Sequence, residues 1–330
     1  MTLEKILINN RSELNCRNCA SGNTSIVQSG YLADFFLKRV FGIECFSIDQ
    51  EIKTLPKRKQ IKKTILIIIY YAFNLLPLFR QFFNKKPIVS TEIRVCMECG
   101  FVGPNMAYSI ELLNGIYHDY RSVTYNNDRC IYEPEYEKIQ YIVGKNEAEI
   151  NNRLENVEKI LKKYINFSEI KNVLDWGGGE GRFIPKCFVD KEIVILDVSD
   201  EPLINNKYRR ISEPINLIKY DYIQVCHVLE HISEPLQLLK NIVEHSSNEG
   251  YVYIEVPQDR SDQDIQLFQK DPLNMQHHIH EHLNLYSVNA IKALGKAAGL
   301  EAIYVEKNLV NSGWQKANII SGLFLIKKSK

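Results

Sequence analysis

The chain has 330 residues, 45% of them hydrophobic, which is enough for two domains, or for one domain carrying a large insertion, around a real core. Lys and Arg number 41 against 40 Asp and Glu, and a formal charge of +1 argues against a protein that grips nucleic acid by broad phosphate neutralisation. The opening MTLEKILINN has no apolar core of the kind a secretory signal needs, so a reducing cytoplasm is expected, where close Cys pairs are more often metal ligands than disulfides.

Two Cys-x-x-Cys pairs frame the first third: Cys16 and Cys19 in NCRNCASG, Cys96 and Cys99 in VCMECGFVG. Four thiolates in two knuckles make a closed tetrahedral zinc site, and the glycine after Cys99 suits a tight knuckle turn. With every position taken by the protein, such a zinc is structural and its binding energy enters folding. The gap between the pairs is long, and the competing reading is a set of unrelated thiols. Cys45, Cys130, Cys187 and Cys226 read as isolated buried or half-buried thiols.

Between the pairs, KRKQIKK (57–63) runs into TILIIIYYAFNLLPLF (64–79) and then RQFFNKKP. The run is shorter than the about 20 apolar residues of a membrane-spanning helix and contains Asn74 and Pro77. It is expected as a buried or interfacial helix, and two readings stay open: packing on its own domain, or peripheral membrane contact through residues 57–86.

From residue 136 the pattern changes. EAEINNRLENVEKILKKYI has apolar residues near helical spacing, and EIKNVLDWGGGEGRF turns from strand to glycine loop to helix. Strands are expected at EIVILDV, YDYIQVC, GYVYIEVP, LEAIYVEK and NIISGLFLIKK, with helices at EPLQLLKNIVEHS and SVNAIKALGKAAG. Strands alternating with helices predict an α/β domain with a parallel sheet covered on both faces. The chain therefore divides into residues 1–135, with a hydrophobic, basic-flanked insertion at about 31–90, and residues 136–330.

In VLDWGGGEG (173–181), Gly177, Gly179 and Gly181 let the chain turn sharply and bring its backbone against a ligand. A dinucleotide fingerprint needs a third glycine where Arg182 stands, and an acidic residue at the loop mouth suits an ammonium group better than a phosphate. Asp197 ends the next strand, where a carboxylate can accept hydrogen bonds from ribose hydroxyls; the plainer reading is a solvated turn residue.

VLDWGGGEGRF, ILDVS, YDYIQVCHVLEHISEP, GYVYIEVP and HEHLNLYS followed by ALGKAAGLEAIYV resemble, in order, the motifs of class I S-adenosylmethionine (SAM)-dependent methyltransferases. The resemblance covers residue 136 to the end and implies a Rossmann-like sheet of seven strands, the last antiparallel, beside the smaller zinc-binding domain. It also implies that Asp175, Gly177 and Gly179 hold the methionine part of SAM, that Asp197 holds the ribose, and that Cys226 and His227 line the pocket. His231, one turn on, is expected to be structural, and Glu255 is a second-choice acid.

Methyl transfer from a sulfonium needs a positioned acceptor and, for a hydroxyl or carbon acid, a base. QHHIHEH (276–282) holds four of the eight histidines. The candidate catalytic residues there are Glu281 and His282, with His280 beside them; a metal site on His278, His280 and His282, and plain structural hydrogen bonding, are the alternatives. HEHLNLYS also resembles the Tyr-His-Glu-His motif of a sugar C-methyltransferase family that begins with a Cys-x-x-Cys zinc domain, in which the Glu and second His contact substrate or move protons. Ile279 stands where that motif has Tyr, so Glu281 and His282 carry over and carbon methylation does not.

The expectation is SAM-dependent methyl transfer to a small-molecule acceptor, a sugar or sugar nucleotide, lipid-linked if residues 57–86 meet a membrane. The rivals are an RNA methyltransferase with a zinc recognition module and a SAM-binding protein without turnover. Tyr117, Tyr120 and Tyr125 either close over the methionine end of SAM or pack between domains.

Overall fold

The computed structural model describes residues 15–42, 90–105, 107–199, 201–215, 218–311 and 316–327. The helix read between Asn146 and Tyr164 forms as α4 (Glu147–Tyr164), capped by the Asn146 side chain, which accepts the Glu149 amide at 3.0 Å. Its apolar stripe packs on a sheet built from β4 (Asn172–Trp176), β5 (Glu192–Leu196), β6 (Arg209–Ile211), β7 (Tyr220–Cys226), β8 (Ser246–Pro257), β10 (Leu300–Asn311) and β11 (Lys316–Ile326).

The strand order is β10-β11-β8-β7-β4-β5-β6. Pairings are parallel from β6 through β8, and β11 enters antiparallel between β8 and β10. This is the expected seven-stranded sheet with its last strand antiparallel. Alternation along β5 shows why it has two covered faces. Ile193 and Ile195 pack with Val157, Ile160 and Leu161 of α4. Val194 and Leu196 belong to the opposite core with Leu239 and Ile242 of α5 (Pro235–His245) and Ile291 and Leu294 of α7 (Val288–Ala297).

One expectation fails. No α-helix follows the glycine loop; residues 177–191 make turns and one short 3-10 turn, Lys186–Phe188. Gly179 and Gly181 both sit in the left-handed region, at φ +55° and +83°, and Pro185 fixes its own φ and lacks an amide donor, so a helix has no uninterrupted stretch in which to propagate.

The first third forms β1 (Thr24–Leu32), α1 (Asp34–Phe41), β2 (Ser90–Cys96), β3 (Val102–Pro104), α2 (Ile110–Tyr117) and α3 (Val123–Tyr132). Its sheet has the order β3-β2-β1-β9, and β9 (Gln276–Ile279), reached after α6 (Asp262–Lys270), comes from the histidine-rich segment. β9 runs parallel to β1, with His277 opposite Gly30 and Ile279 opposite Leu32. A side chain at Gly30 would fall 2.2 Å from Ile93 Cγ1 and 2.4 Å from the Thr91 carbonyl oxygen, so this strand crossing requires glycine. The core beneath it joins Phe35, Phe36, Ile93 and Val95 to Phe268, Ile279, Leu283 and Leu285. The division expected at residue 135 is thus a division of the chain and not of the packing.

Of the insertion expected at about 31–90, the first residues build the end of β1 and α1. The apolar run and its basic flanks at 57–86 lie outside the described residues, as does Cys45. Among the described residues no helix is long and apolar enough to cross a membrane.

Candidate active site

The glycine loop leaves the end of β4. Asp175 is 1% exposed and neither of its carboxylate oxygens has a hydrogen-bond donor; burial pushes its pKa up to about 7. Gly178, given no role in the sequence reading, is the tightest point of the loop, since a Cβ there would meet Asp175 Oδ2 at 2.3 Å. Gly177 has φ +72° and leaves room for the Val228 side chain, whereas a Cβ on Gly179 would meet nothing within 4 Å. The space before Gly179 is open. Asp197 follows β5 and accepts the Gly179 amide on Oδ2 at 2.7 Å and the Ser199 amide on Oδ1 at 2.8 Å, so it holds the loop's shape while each oxygen keeps a lone pair. Arg210 of β6, unmarked in the sequence reading, donates to the Gly179 carbonyl at 2.7 Å and to Ser199 Oγ at 2.9 Å.

Beside the loop, Gln224 stands opposite Asp175 in register, and Cys226 opposite Glu255. Burial pushes the Cys226 thiol well above its ordinary value. His227 turns the chain at φ +54°, a conformation costly for a residue with a Cβ, and its amide donates to the Glu255 carbonyl at 2.8 Å. Burial pulls the His227 imidazole down to about 4. Arg153, on the buried face of α4, donates through Nε to Glu255 Oε1 at 2.7 Å, the Tyr253 hydroxyl donates to Oε2 at 3.0 Å, and His227 Nε2 lies 3.3 Å from Oε1. Burial alone would raise Glu255, but Arg153 and His227 hold it at about 2. Glu255 is therefore a locked counter-ion and not the spare acid expected from its strand-end position.

The histidine-rich segment is stapled to the turn after β7. Leu283 and Asn284 donate their amides to the Glu230 carbonyl at 2.7 and 3.1 Å, and Asn284 Nδ2 reaches the Leu229 and Ile232 carbonyls at 2.8 and 2.6 Å. His282 Nδ1 donates to Asp259 Oδ2 at 2.6 Å. Burial lowers this imidazole, but the hydrogen bond and charge of Asp259, with Glu230 and Glu281, lift it to about 9. Glu281 meets Arg129 Nη1 at 2.7 Å, and burial raises its carboxyl to about 7 against His282 and Arg121. Glu230 is fully buried, neither oxygen has a hydrogen-bond partner, and burial raises it to about 8.

His280 is spoken for at both nitrogens: Nδ1 accepts the Glu281 amide at 2.8 Å and Nε2 bonds Glu133. Burial pulls it down to about 3. The expected trio His278, His280 and His282 does not converge. Among the described residues, the group of three histidine and carboxylate ligand atoms that lie mutually within 4.8 Å comes from Glu230, His231 and His282. His231, read as structural, and Glu230 and Asp259, passed over, thus join His282. The signal was present for Glu230, which stands between two histidines in HVLEH. Tyr117 belongs to this rim, its hydroxyl donating to the Glu281 carbonyl at 3.0 Å and lying 2.9 Å from His231 Nδ1. Tyr125 is fully buried against Phe35 and Tyr120, so it packs within the first unit.

Cys16, Cys19, Cys96 and Cys99 present sulfurs all within 4.8 Å of one another, with Cys19···Cys96 at 3.6 Å and Cys16···Cys99 at 3.9 Å. A tetrahedron with zinc–sulfur bonds of about 2.3 Å has edges of about 3.8 Å, so the set fits zinc. Asn18 Nδ2 donates to Cys99 Sγ at 3.6 Å and to the Ala290 carbonyl at 2.8 Å, which ties the knuckles to α7.

A family described as a methyltransferase domain matches residues 139–305, about half of the chain. The chain belongs to this methyltransferase family. Among solved structures it is similar to the 1,6-didemethyltoxoflavin-N1-methyltransferase of Burkholderia thailandensis, bound to 1,6-didemethyltoxoflavin and S-adenosylhomocysteine, at 14% identity and TM-score 0.41 over 59% of this chain and 88% of that one. It is also similar to the N-methyltransferase NodS of Bradyrhizobium japonicum, bound to S-adenosylhomocysteine, at 11% identity and TM-score 0.39 over 56% of this chain and 90% of that one. No curated protein sequence matches the chain. The residues of this methyltransferase fit SAM: a buried, unpartnered carboxylate at Asp175, open space before Gly179, and a strand-end acid at Asp197.

Proposed function

We propose that the chain transfers a methyl group from SAM to a sugar or sugar-nucleotide acceptor. When bound, SAM supplies a methyl group on a sulfonium, already activated for in-line displacement. In this reading Asp175 and the amides around Gly177 and Gly179 take the methionine part, and Asp197 takes the ribose with the lone pairs that Gly179 and Ser199 leave free. Cys226 and His227 line the wall between cofactor and acceptor.

The observation that carries the acceptor chemistry is the His282–Asp259 pair, at 2.6 Å, beside the buried carboxyl of Glu230. A carboxylate fixes the imidazole, and neighbouring groups with pKa values pushed toward neutrality are what proton transfer at a hydroxyl requires. Glu281 and His282 move the proton, while His280 positions Glu281 through its amide. The sugar class rests on the likeness of HEHLNLYS to the sugar C-methyltransferase motif, and a lipid-linked form of it on the apolar run of the sequence alone. The four cysteines hold a structural zinc in the unit of residues 1–135, which supports the methyltransferase unit of residues 136–330 through the shared sheet.

Single-turnover transfer of labelled methyl from SAM into a pool of sugar nucleotides tests this. His282→Asn is expected to lower the rate roughly a hundred- to ten-thousandfold with SAM affinity intact. Full-rate transfer by the variant would remove the proton-transfer role.

A further inference from the structure

Three carboxyl groups and the imidazoles of His227, His231 and His282 meet at the rim, and the hydrogen bonds of His231 and His282 indicate which of their atoms remain free. His231 Nδ1 lies 3.0 Å from the Glu281 carbonyl oxygen, which can only accept, and 2.9 Å from the Tyr117 hydroxyl, which donates to that same carbonyl; a hydrogen on Nδ1 satisfies both contacts and leaves Nε2 a bare lone pair. His282 Nδ1 faces Asp259 in the same way, which leaves Nε2 as its remaining ligand atom. Histidines that bind metals are held like this, with the far ring nitrogen donating to a carbonyl or carboxylate. Between them stands Glu230, fully buried with neither oxygen hydrogen-bonded, its Oε1 3.8 Å from His231 Nε2 and 3.4 Å from His227 Nδ1. Ionising a carboxyl group buried this deeply is costly unless a cation reaches it.

We infer that Glu230, His231 and His282 form a binding site for a divalent first-row transition-metal ion, separate from the four-cysteine cluster. Two imidazoles and one carboxylate suit Zn2+, Fe2+ or Co2+ better than Mg2+ or Ca2+, which take oxygen ligands. The three candidate atoms lie within 4.8 Å of one another. Bonds of about 2.0–2.2 Å to a tetrahedral ion call for ligand separations of about 3.4 Å, so no pair needs to close by more than about 1.4 Å on loading, a shift within reach of side-chain rotation. Three protein ligands leave a position open for an oxygen of the acceptor. That role rests on the reading of this rim as the acceptor end of the site, and it makes the ion and a proton on His282 alternative occupants of one place; the binding itself does not depend on that reading.

The test is a Co2+ titration of the full chain with its cysteine site already filled with zinc. One further equivalent per chain is expected, with an absorption spectrum that lacks thiolate-to-cobalt charge transfer. Glu230→Gln should abolish that equivalent while zinc content is retained. Asp259→Asn, which alters no ligand atom and keeps the test valid if Glu230→Gln misfolds, should weaken Co2+ binding about 10- to 100-fold. A titration that ends with cobalt bound only by thiolates, or a second equivalent indifferent to both variants, would overturn the site. Methyl transfer is scored separately: a second equivalent in a protein without transferase activity sinks the functional reading and leaves the metal site standing, and full activity after selective removal of that equivalent overturns the ion's role.

Discussion

Asp259 and His282 meet at 2.6 Å although a helix and a strand separate them in the chain: Asp259 follows β8, and His282 follows β9. The pair exists because β9 is anchored in the sheet of the first third, which returns the histidine segment to the ends of β7 and β8. Asp259→Asn keeps the side chain's shape and removes its charge, so methyl transfer should fall roughly a hundred- to ten-thousandfold at saturating SAM. Rapid-quench single turnovers read this directly; a change below threefold would show that the charge on Asp259 is not used.

The same anchoring links the four-cysteine cluster to the rim. Cys96→Ser removes one of four ligands, and the expected result is loss of about one zinc per chain together with the fold of β1 to β3. Because β9 pairs with β1, protection of the 276–282 amides should fall with it, as hydrogen exchange would record. Freshly purified wild-type protein without zinc would contradict the assignment.

Arg153 is fully buried as far as its charge is concerned, with Glu255 its partner at 2.7 Å. Arg153→Met leaves the Glu255 carboxylate uncompensated, and unfolding in urea should show a loss of about 3–5 kcal/mol. A loss under about 1 kcal/mol would mean that the Tyr253 and His227 contacts alone suffice.

Asp175 gives a pH dependence. Its folded pKa, about 7, lies above the ordinary 3.8, so the native state holds a proton that the unfolded chain has released. The stability from this group is full below about pH 4 and is lost as pH rises toward and through about 7. Denaturation curves of wild type and Asp175→Asn should therefore diverge with a steeper fall in the wild type over that window, and parallel curves would refute the shift. A cationic ligand favours ionised Asp175, so SAM should stabilise the wild type more as pH rises through the same range.

Much of this was legible in the sequence because parallel strands buried on both faces are written as apolar runs, as at β4, β5, β7 and β8; the antiparallel β10 and β11 also fall where strands are read. The short β6, RRI, carries no such run, and the helix expected after Gly181 was lost to backbone effects of glycine and proline that periodicity does not weigh. The clustering of candidate residues was legible where a motif holds them together, as in Asp175 through Gly179. Asp259, Glu230 and Arg153 were not, because each acts on a residue distant in the chain: Arg153 reads as one more polar position on an amphipathic helix until the sheet places Glu255 beneath it.

The most direct test of the account is calorimetric titration of SAM into the purified chain and into its Asp197→Ala and Asp259→Asn variants. In the proposed reading Asp197 holds the loop that takes SAM, and Asp259 holds His282 on the acceptor side. One SAM per wild-type chain is predicted, bound about 10- to 100-fold more weakly by Asp197→Ala, a loss of about 1.5–3 kcal/mol, and with unchanged affinity by Asp259→Asn. Absence of SAM binding by the wild type, or equal affinity in wild type and Asp197→Ala, would contradict it.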